Sequence, residues 1–379
     1  MYDGLYASIS ASVESAGIDL QVMFRGDHPA INAFLSSPAA AQCDLVSTHT
    51  KYAPSQSRLL APLDGLYPAD ELADFVPRTL ELARVNGRLM GIPRNADARL
   101  LHYRTDLVDA APATWDALVH AARRVNDPPR VYGFAFPGCE SGLFGTFYEL
   151  AESAGAELFP ANGAPDLDND AGRWALTLLR AMYAEGLVPP SIPAMHYDGV
   201  HAAFTDGHVA MVGDWPGFYA SLCDPTRSAV SDRLAVVPYP GGPSGRSLSY
   251  GGSHTFALTR RGASNPAAVR LISLLTSHEA QLVEARAGSV AIRRSVAAQI
   301  RTETASARDL ARLRAIETVI EHQLVIPPKL PCYPRIEEVI WKTVQAAVIG
   351  KLGVSDALRS ISRQMRDILE THRDSEEGA

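Results

Sequence analysis

The chain has 379 residues, 46% hydrophobic and 20% charged, enough apolar material for one large or two ordinary domains, which excludes a disordered or fibrous protein. A formal charge of −7 at pH 7 offers nucleic acid and anionic membranes no electrostatic attraction. No stretch approaches the roughly 18 consecutive apolar residues of a membrane span, and the opening Met1-Tyr2-Asp3-Gly4-Leu5-Tyr6 has neither the basic nor the apolar region of a secretory signal.

After a short opening helix, Ile18, Leu20, Val22 and Phe24 alternate with polar or small neighbours, the period of a half-buried strand, and Cys43–Ser47 reads as a second strand. Trp115, Leu118, Val119, Ala122 and Val125 recur at helical spacing behind Thr114, an N-cap with Asp116 in the first turn. Further strands are predicted at Val131–Phe136, Val209–Gly213, Leu234–Pro238 and Thr255–Thr259, with helices near 170–185, 266–276 and 278–287 between them. Alternating elements of this kind make an α/β chain. Beyond about residue 306 the pattern is helical, and Val354, Leu358, Ile361, Met365 and Leu369 mark an amphipathic final helix. Neither a repeat nor a long linker cuts the chain into consecutive domains, so two lobes would be interwoven.

Motifs with chemistry are missing where an enzyme would need them. Cys43, Cys139, Cys223 and Cys332 form no C-x-x-C pair and read as buried thiols. Gly241-Gly242-Pro243-Ser244-Gly245 lacks phosphate-loop spacing, and Gly251-Gly252-Ser253-His254-Thr255 lacks the second glycine of a nucleophile elbow. His196, His201 and His208 are spaced by five and seven residues, not the four of a zinc helix, and read as surface histidines. The pairs Glu337-Glu338 and Glu376-Glu377 read as solvated faces. Neither a cofactor nor a metal is expected.

Several segments in register resemble the family 1 extracellular solute-binding proteins of bacterial ABC importers, which include maltose- and other sugar-binding proteins. Gly87-Arg88-Leu89-Met90-Gly91-Ile92-Pro93 followed by Leu100-Leu101-His102-Tyr103-Arg104-Thr105-Asp106-Leu107 is similar to the family's G-x-x-Y-G-I-P…L-x-Y-N-x-D-L-F run, with Met90 for the usual aromatic and Arg104 for the usual Asn. Pro112–Leu118 resembles its P-x-T-W-[DE]-E-L helix start, and Phe204–Trp215 its F-x-x-G-x-A-M…G-x-W element. Pro238–Gly242, Gly251-Gly252 and Leu274–Glu279 continue the order, and Pro327–Leu369 resembles the closing helices. The family begins with a strand ahead of its first helix, whereas this chain starts almost at that helix.

The resemblance implies a two-lobed periplasmic-binding-protein fold with discontinuous lobes, one of residues 1–107 and 256–305, the other of 108–255 and 306–379. It also implies a ligand cleft between the lobes that shuts by hinge closure, a monomer, and delivery of the solute to membrane permease subunits at the cell envelope. Sugar sites pair side-chain hydrogen bonders with flat aromatics. On the first lobe the candidates are Thr48 and His49, with Ser47 and Lys51 beside them, then Arg94, Asn95, Asp97 and Arg99 after the Gly-Ile-Pro element. On the second lobe they are Glu140, Ser141, Phe144, Asp214 and Trp215, the last as the stacking platform. Gly252, Ser253 and His254 fall at the return crossing, and Tyr333 and Trp341 are weaker candidates. Two alternatives stay open: an acidic or phosphorylated sugar held by Arg25, Arg94, Arg99, Arg293 and Arg294, and a carbohydrate-active hydrolase with a carboxylate pair such as Asp97 and Asp214.

Overall fold

The strand Leu45–His49 alternates half-buried and buried side chains until its last residue, the period its sequence predicts. It pairs antiparallel with His254–Leu258, which pairs on its other edge with Ile92–Pro93. The register sets Thr48 opposite Thr255 and His49 opposite His254. The computed structural model that shows this describes residues 3–161 and 165–377, so Met1 and Tyr2 of the opening hexapeptide lie outside the described residues.

Contacts divide the chain into two units that alternate along the sequence. The first is Met1–Asp97, Gly252–Ala305 and Pro328–Tyr333, the second Ala98–Gly251, Ser306–Pro327 and Pro334–Ala379. The division differs from the expected boundaries at identifiable places. Leu100–Arg104, assigned to the first lobe from sequence, is the central strand of the second unit, because both strands it pairs with, Met211–Asp214 and Leu234–Val237, are there. Gly252–Thr255 and Pro328–Tyr333 belong instead to the first unit.

In the first unit Val46 and Ala257 pack with Cys43, Ala53, Leu60, Val85 and Met90, and Phe34 and Leu35 cover them from the helix His28–Leu35. The segment Ile18–Phe24 is not a strand as its alternation predicts. Among the described residues no strand pairs with it, so Leu20, Val22, Met23 and Phe24 stay exposed, and a cavity of about 490 Å³ separates it from the Cys43–Ser47 edge.

In the second unit the helix Trp115–Val125 is capped as expected, Thr114 accepting from the Ala117 N–H at 3.1 Å. The helix Glu140–Ala154 is buried on nearly all sides and stops at Gly155, whose φ of 100° suits a left-handed cap. Val131–Phe136 makes only isolated bridges, Val131 to Asp127, Tyr132 to Val209 and Ala135 to Val212, instead of the predicted strand. At Gly133 the chain lies so close to the helix carbonyl of Ala122 that a Cβ would sit 2.4 Å from that oxygen. The late part of the chain is not purely helical either, since Leu324–Val325 pairs parallel with Ser249–Tyr250. All four cysteines are free thiols.

Candidate functional site

The end of the Leu45–His49 strand gathers a polar cluster in the first unit. Because His49 and His254 face each other across the ladder, their rings meet edge to face at 5.1 Å, and the ring of His28 lies 5.3 Å from His254 and 5.8 Å from His49. Asp97 receives the Nδ2 of Asn95 on one oxygen at 2.7 Å and His254 Nδ1 on the other at 2.7 Å, and Asn95 Oδ1 accepts the His254 backbone N–H at 3.1 Å. Ser253 Oγ donates to the Asn95 carbonyl at 2.7 Å. A Cβ on Gly252 would lie 2.4 Å from His49 Cε1, so only glycine lets the imidazole sit there. His49 Nδ1 accepts the Lys51 backbone N–H at 3.2 Å, which places the ring proton on Nε2. Burial, then the neighbouring charges of His254, Lys51 and His28, holds His49 well below the usual imidazole range. Tyr52 stands 5.4 Å from the His28 ring and 6.0 Å from Tyr333, with the Lys51 ammonium 4.7 Å from its centroid. Thr48 is buried and donates to Gln56 Oε1 at 2.9 Å, away from this group.

Arg94 is buried and forks onto Glu284, with Nε at 2.8 Å and 3.1 Å from the two oxygens and Nη2 on the first as well. Arg293 is likewise held inside the unit by the Thr276 carbonyl, Tyr67, Glu71 and Asp74, while Arg294 donates to the Ala73 carbonyl.

The second unit carries an aromatic cluster where the Met211–Asp214 strand ends. Trp215 meets Tyr197 edge-on at 5.3 Å and Tyr250 at 6.2 Å, and the guanidinium carbon of Arg99 lies 5.8 Å from both the Trp215 and the Tyr250 ring. Arg99 itself is fully buried: Nη1 donates to Thr146 at 2.9 Å and Nη2 to Glu149 at 2.6 Å, while the other Glu149 oxygen accepts the Tyr250 N–H at 2.9 Å. Burial is the largest single influence and works against the charge, but the Glu149 carboxylate together with the nearby Tyr239 and Tyr197 holds the guanidinium above its ordinary value. Ser141 Oγ lies 3.4 Å from Tyr197 Oη and 3.5 Å from His196 Nε2, and Glu140 Oε2 is 4.0 Å from the same nitrogen. Glu140 opens its helix at a φ of 50°, a left-handed conformation unusual for a residue with a side chain. Phe144 is core, packed on Tyr148 and Tyr250.

Asp214 is 1% exposed and fully engaged, one oxygen accepting the Trp215 N–H at 2.8 Å and the other 2.7 Å from His201 Nδ1. His201 is therefore not the surface histidine that its spacing suggests. The structure thus brings His49, Asn95, Asp97, Gly252, Ser253 and His254 together in one unit and Arg99, Glu140, Ser141, Asp214 and Trp215 in the other, and sets Thr48 and Phe144 into packing. Sequence reasoning missed His28, Tyr52, Tyr197, His201 and Tyr250. Tyr52 and Tyr250 were within reach, because one follows a strand end and the other precedes Gly251-Gly252. Among the described residues no cluster of His, Cys, Asp and Glu is arranged to hold a metal ion, and no helix is long and apolar enough to cross a membrane.

Comparison with known proteins agrees with this architecture. A mannitol-binding protein of Pseudomonas aeruginosa is 26% identical over 340 residues, covering 81% of this chain and 76% of the relative. A probable amino-acid ABC transporter periplasmic-binding protein of Sinorhizobium fredii is 29% identical over 180 residues, 45% of this chain and 41% of that protein. The chain spans about half the length of the first curated relatives it matches, 41% and 54% for two of them. The solved structure of maltose-bound MalE3 from T. maritima superposes with a TM-score of 0.86 at 24% identity, covering 97% of this chain and 96% of that one, so the fold is that of the two-lobed periplasmic binding proteins. The profile of the bacterial extracellular solute-binding proteins matches residues 36–282, more than half of the sequence, and the chain belongs to that family.

Proposed function

We propose that this protein captures a small, uncharged, polyhydroxylated solute, a sugar or sugar alcohol, outside the cytoplasmic membrane and hands it to the permease subunits of an ABC importer without changing it chemically. The observation that carries the ligand class is the state of the arginines. Arg94 and Arg99, the two arginines that follow the Gly-Ile-Pro element, are each buried against a carboxylate of their own unit, so an anionic solute would have to compete with Glu284 and Glu149 for them. The remaining groups are those that carbohydrates use, flat rings at Trp215, Tyr197 and Tyr52 and hydrogen bonders at Asn95, His49, His254 and Ser141. Mannitol and maltose, named for one relative and one structural neighbour, fit this chemistry.

The hydrolase alternative loses support from the same geometry. Both oxygens of Asp97 and of Asp214 are occupied by donors within their own units, whereas a glycosidase needs one carboxyl protonated and one free to attack or to activate water. A thermal-shift screen tests the reading. Saturation at 100 times Kd stabilises by about 2.7 kcal/mol, so maltose, mannitol or another neutral sugar or polyol should raise Tm while sugar acids, sugar phosphates and amino acids do not. A rise confined to anionic sugars or amino acids overturns the ligand class. Trp215→Ala should weaken the active solute by about five- to a hundred-fold, the stacking contribution of some 50–100 Å² at roughly 25 cal/mol per Å².

A further inference from the structure

The Trp215 backbone is fixed by a chain of contacts that starts one residue earlier. Its N–H donates to Asp214 Oδ1 at 2.8 Å, Asp214 Oδ2 meets His201 Nδ1 at 2.7 Å, His201 Nε2 reaches Ser221 Oγ at 3.1 Å, and Ser221 Oγ donates to the Phe218 carbonyl at 2.7 Å. The imidazole also stacks on Phe218 with centroids 4.2 Å apart and planes within 19°. The network therefore closes a loop around Trp215-Pro216-Gly217, tying the strand end, the helix Tyr197–Thr205 and the turn Phe218–Ser221 to one imidazole. Two further bonds hold the same segment from the helix Ala307–Thr318: Arg312 Nη2 donates to the Pro216 carbonyl at 3.1 Å, and Tyr219 Oη donates to Asp309 at 2.5 Å.

We propose that His201 and Ser221 are positioning residues, which act through Asp214 to set the angle at which the Trp215 indole is presented to the solute; this rests on the reading of Trp215 as the stacking platform. The connectivity Asp214–His201–Ser221 is that of a hydrolytic triad, but the polarity differs. A nucleophilic serine directs its proton at the imidazole, whereas Ser221 gives its proton to the Phe218 carbonyl within a helical turn, so the relay terminates on backbone. Asp214 is 1% and His201 13% exposed, and a hydrogen bond to a carboxylate screened from water is stronger and more directional than one between neutral groups in solvent. Losing it leaves a buried carboxylate with one acceptor unfilled, and the local remedy is rotation of the Asp214-Trp215 peptide.

The test reads the indole directly in ligand-free protein. Subtracting the emission of Trp215→Phe from that of the parent isolates the Trp215 signal from Trp115, Trp174 and Trp341. His201→Ala should move that signal to longer wavelength and make it more accessible to acrylamide. His201→Asn, whose side-chain N–H takes the place of Nδ1, should keep the wild-type signal, while His201→Gln, whose amide reaches towards Ser221 and not Asp214, should behave like the alanine variant. Ser221→Ala should give a smaller shift in the same direction, and stands in if His201→Ala does not fold. An unmoved signal in both His201→Ala and Ser221→Ala overturns the proposal, as does an asparagine variant that folds yet fails to restore the signal. No solute enters this measurement, so its failure is separate from that of the stacking reading. A displaced indole together with unchanged maltose and mannitol binding by Trp215→Ala removes the stacking role and leaves the positioning role standing.

Discussion

Arg99 is enclosed by Thr146, Glu149, Trp215 and Tyr250, and its Nε has no hydrogen-bond partner, so its charge depends on the Glu149 carboxylate. Removing one member of a buried ion pair leaves the other charge uncompensated, which costs about 3–5 kcal/mol, while replacing both members by apolar side chains is often near neutral. Arg99→Met should therefore lower the unfolding free energy measured in urea by that amount, and adding Glu149→Leu should recover most of it. A single variant as stable as wild type, but deficient in binding an anionic solute, would return Arg99 to the list of ligand contacts. The pairing was not legible in the sequence, because 31 of the 35 basic residues are arginine and the partner Glu149 sits mid-helix fifty residues on. Trp215 was legible, since a tryptophan after a short apolar run and before Pro216-Gly217 marks a strand end. His201 was missed for a different reason: inspecting histidines by their spacing from one another tests for a metal and says nothing about a carboxylate on a neighbouring strand.

Elements bring these residues together by close approaches that only glycine permits. The helix Glu140–Ala154 carries Thr146 and Glu149 to Arg99, and it lies against the Ser249–Gly252 strand at Gly145, where a Cβ would fall 2.2 Å from Tyr250 Cδ1. Overpacking of this kind costs about 1–3 kcal/mol. Gly145→Ala should accordingly lower stability by that amount and weaken solute binding as Tyr250 is driven from its place beside Trp215 and Arg99. Unfolding curves indistinguishable from wild type would mean the helix shifts freely and does not define the aromatic cluster. The helices named from sequence are present because their apolar stripe faces a core wherever that core is. Strands are different: alternation states which face is apolar and not whether a partner exists, so Ile18–Phe24 shows the pattern of a strand without being one, while the two-residue strand Leu324–Val325 is too short to show any pattern.

At the scale of the whole molecule, both units bury titratable side chains, and acid should reveal them. His102 lies on the central strand of the second unit, fully buried. Its Nδ1 donates to the Leu100 carbonyl at 3.1 Å, and its Nε2 has no partner, which fixes the neutral tautomer. Burial is the largest cause that holds it down to about 4, against an ordinary value of 6.5. A folded-state value below the unfolded one means that the unfolded chain takes up a proton that the folded chain refuses. The contribution of His102 is thus fully present above pH 6.5 and is lost as the pH falls towards 4, up to about 3 kcal/mol at 1.36 kcal/mol per unit. His49, held low in the other unit, acts with the same sign. Buried carboxyls act with the opposite sign, because burial pushes Glu149 and Glu284 upward and protonating them on acidification relieves that penalty. The net profile mixes these contributions, so the informative quantity is a difference between variants. His102→Leu keeps an apolar side chain of similar bulk at that position and removes the titration, so the unfolding free energy that wild type loses between pH 7.5 and pH 4.5 should shrink in the variant by about 2–3 kcal/mol. Equal losses in the two proteins would show that His102 charges as readily in the folded chain as in the unfolded one, and so that the central strand of the second unit is open to water.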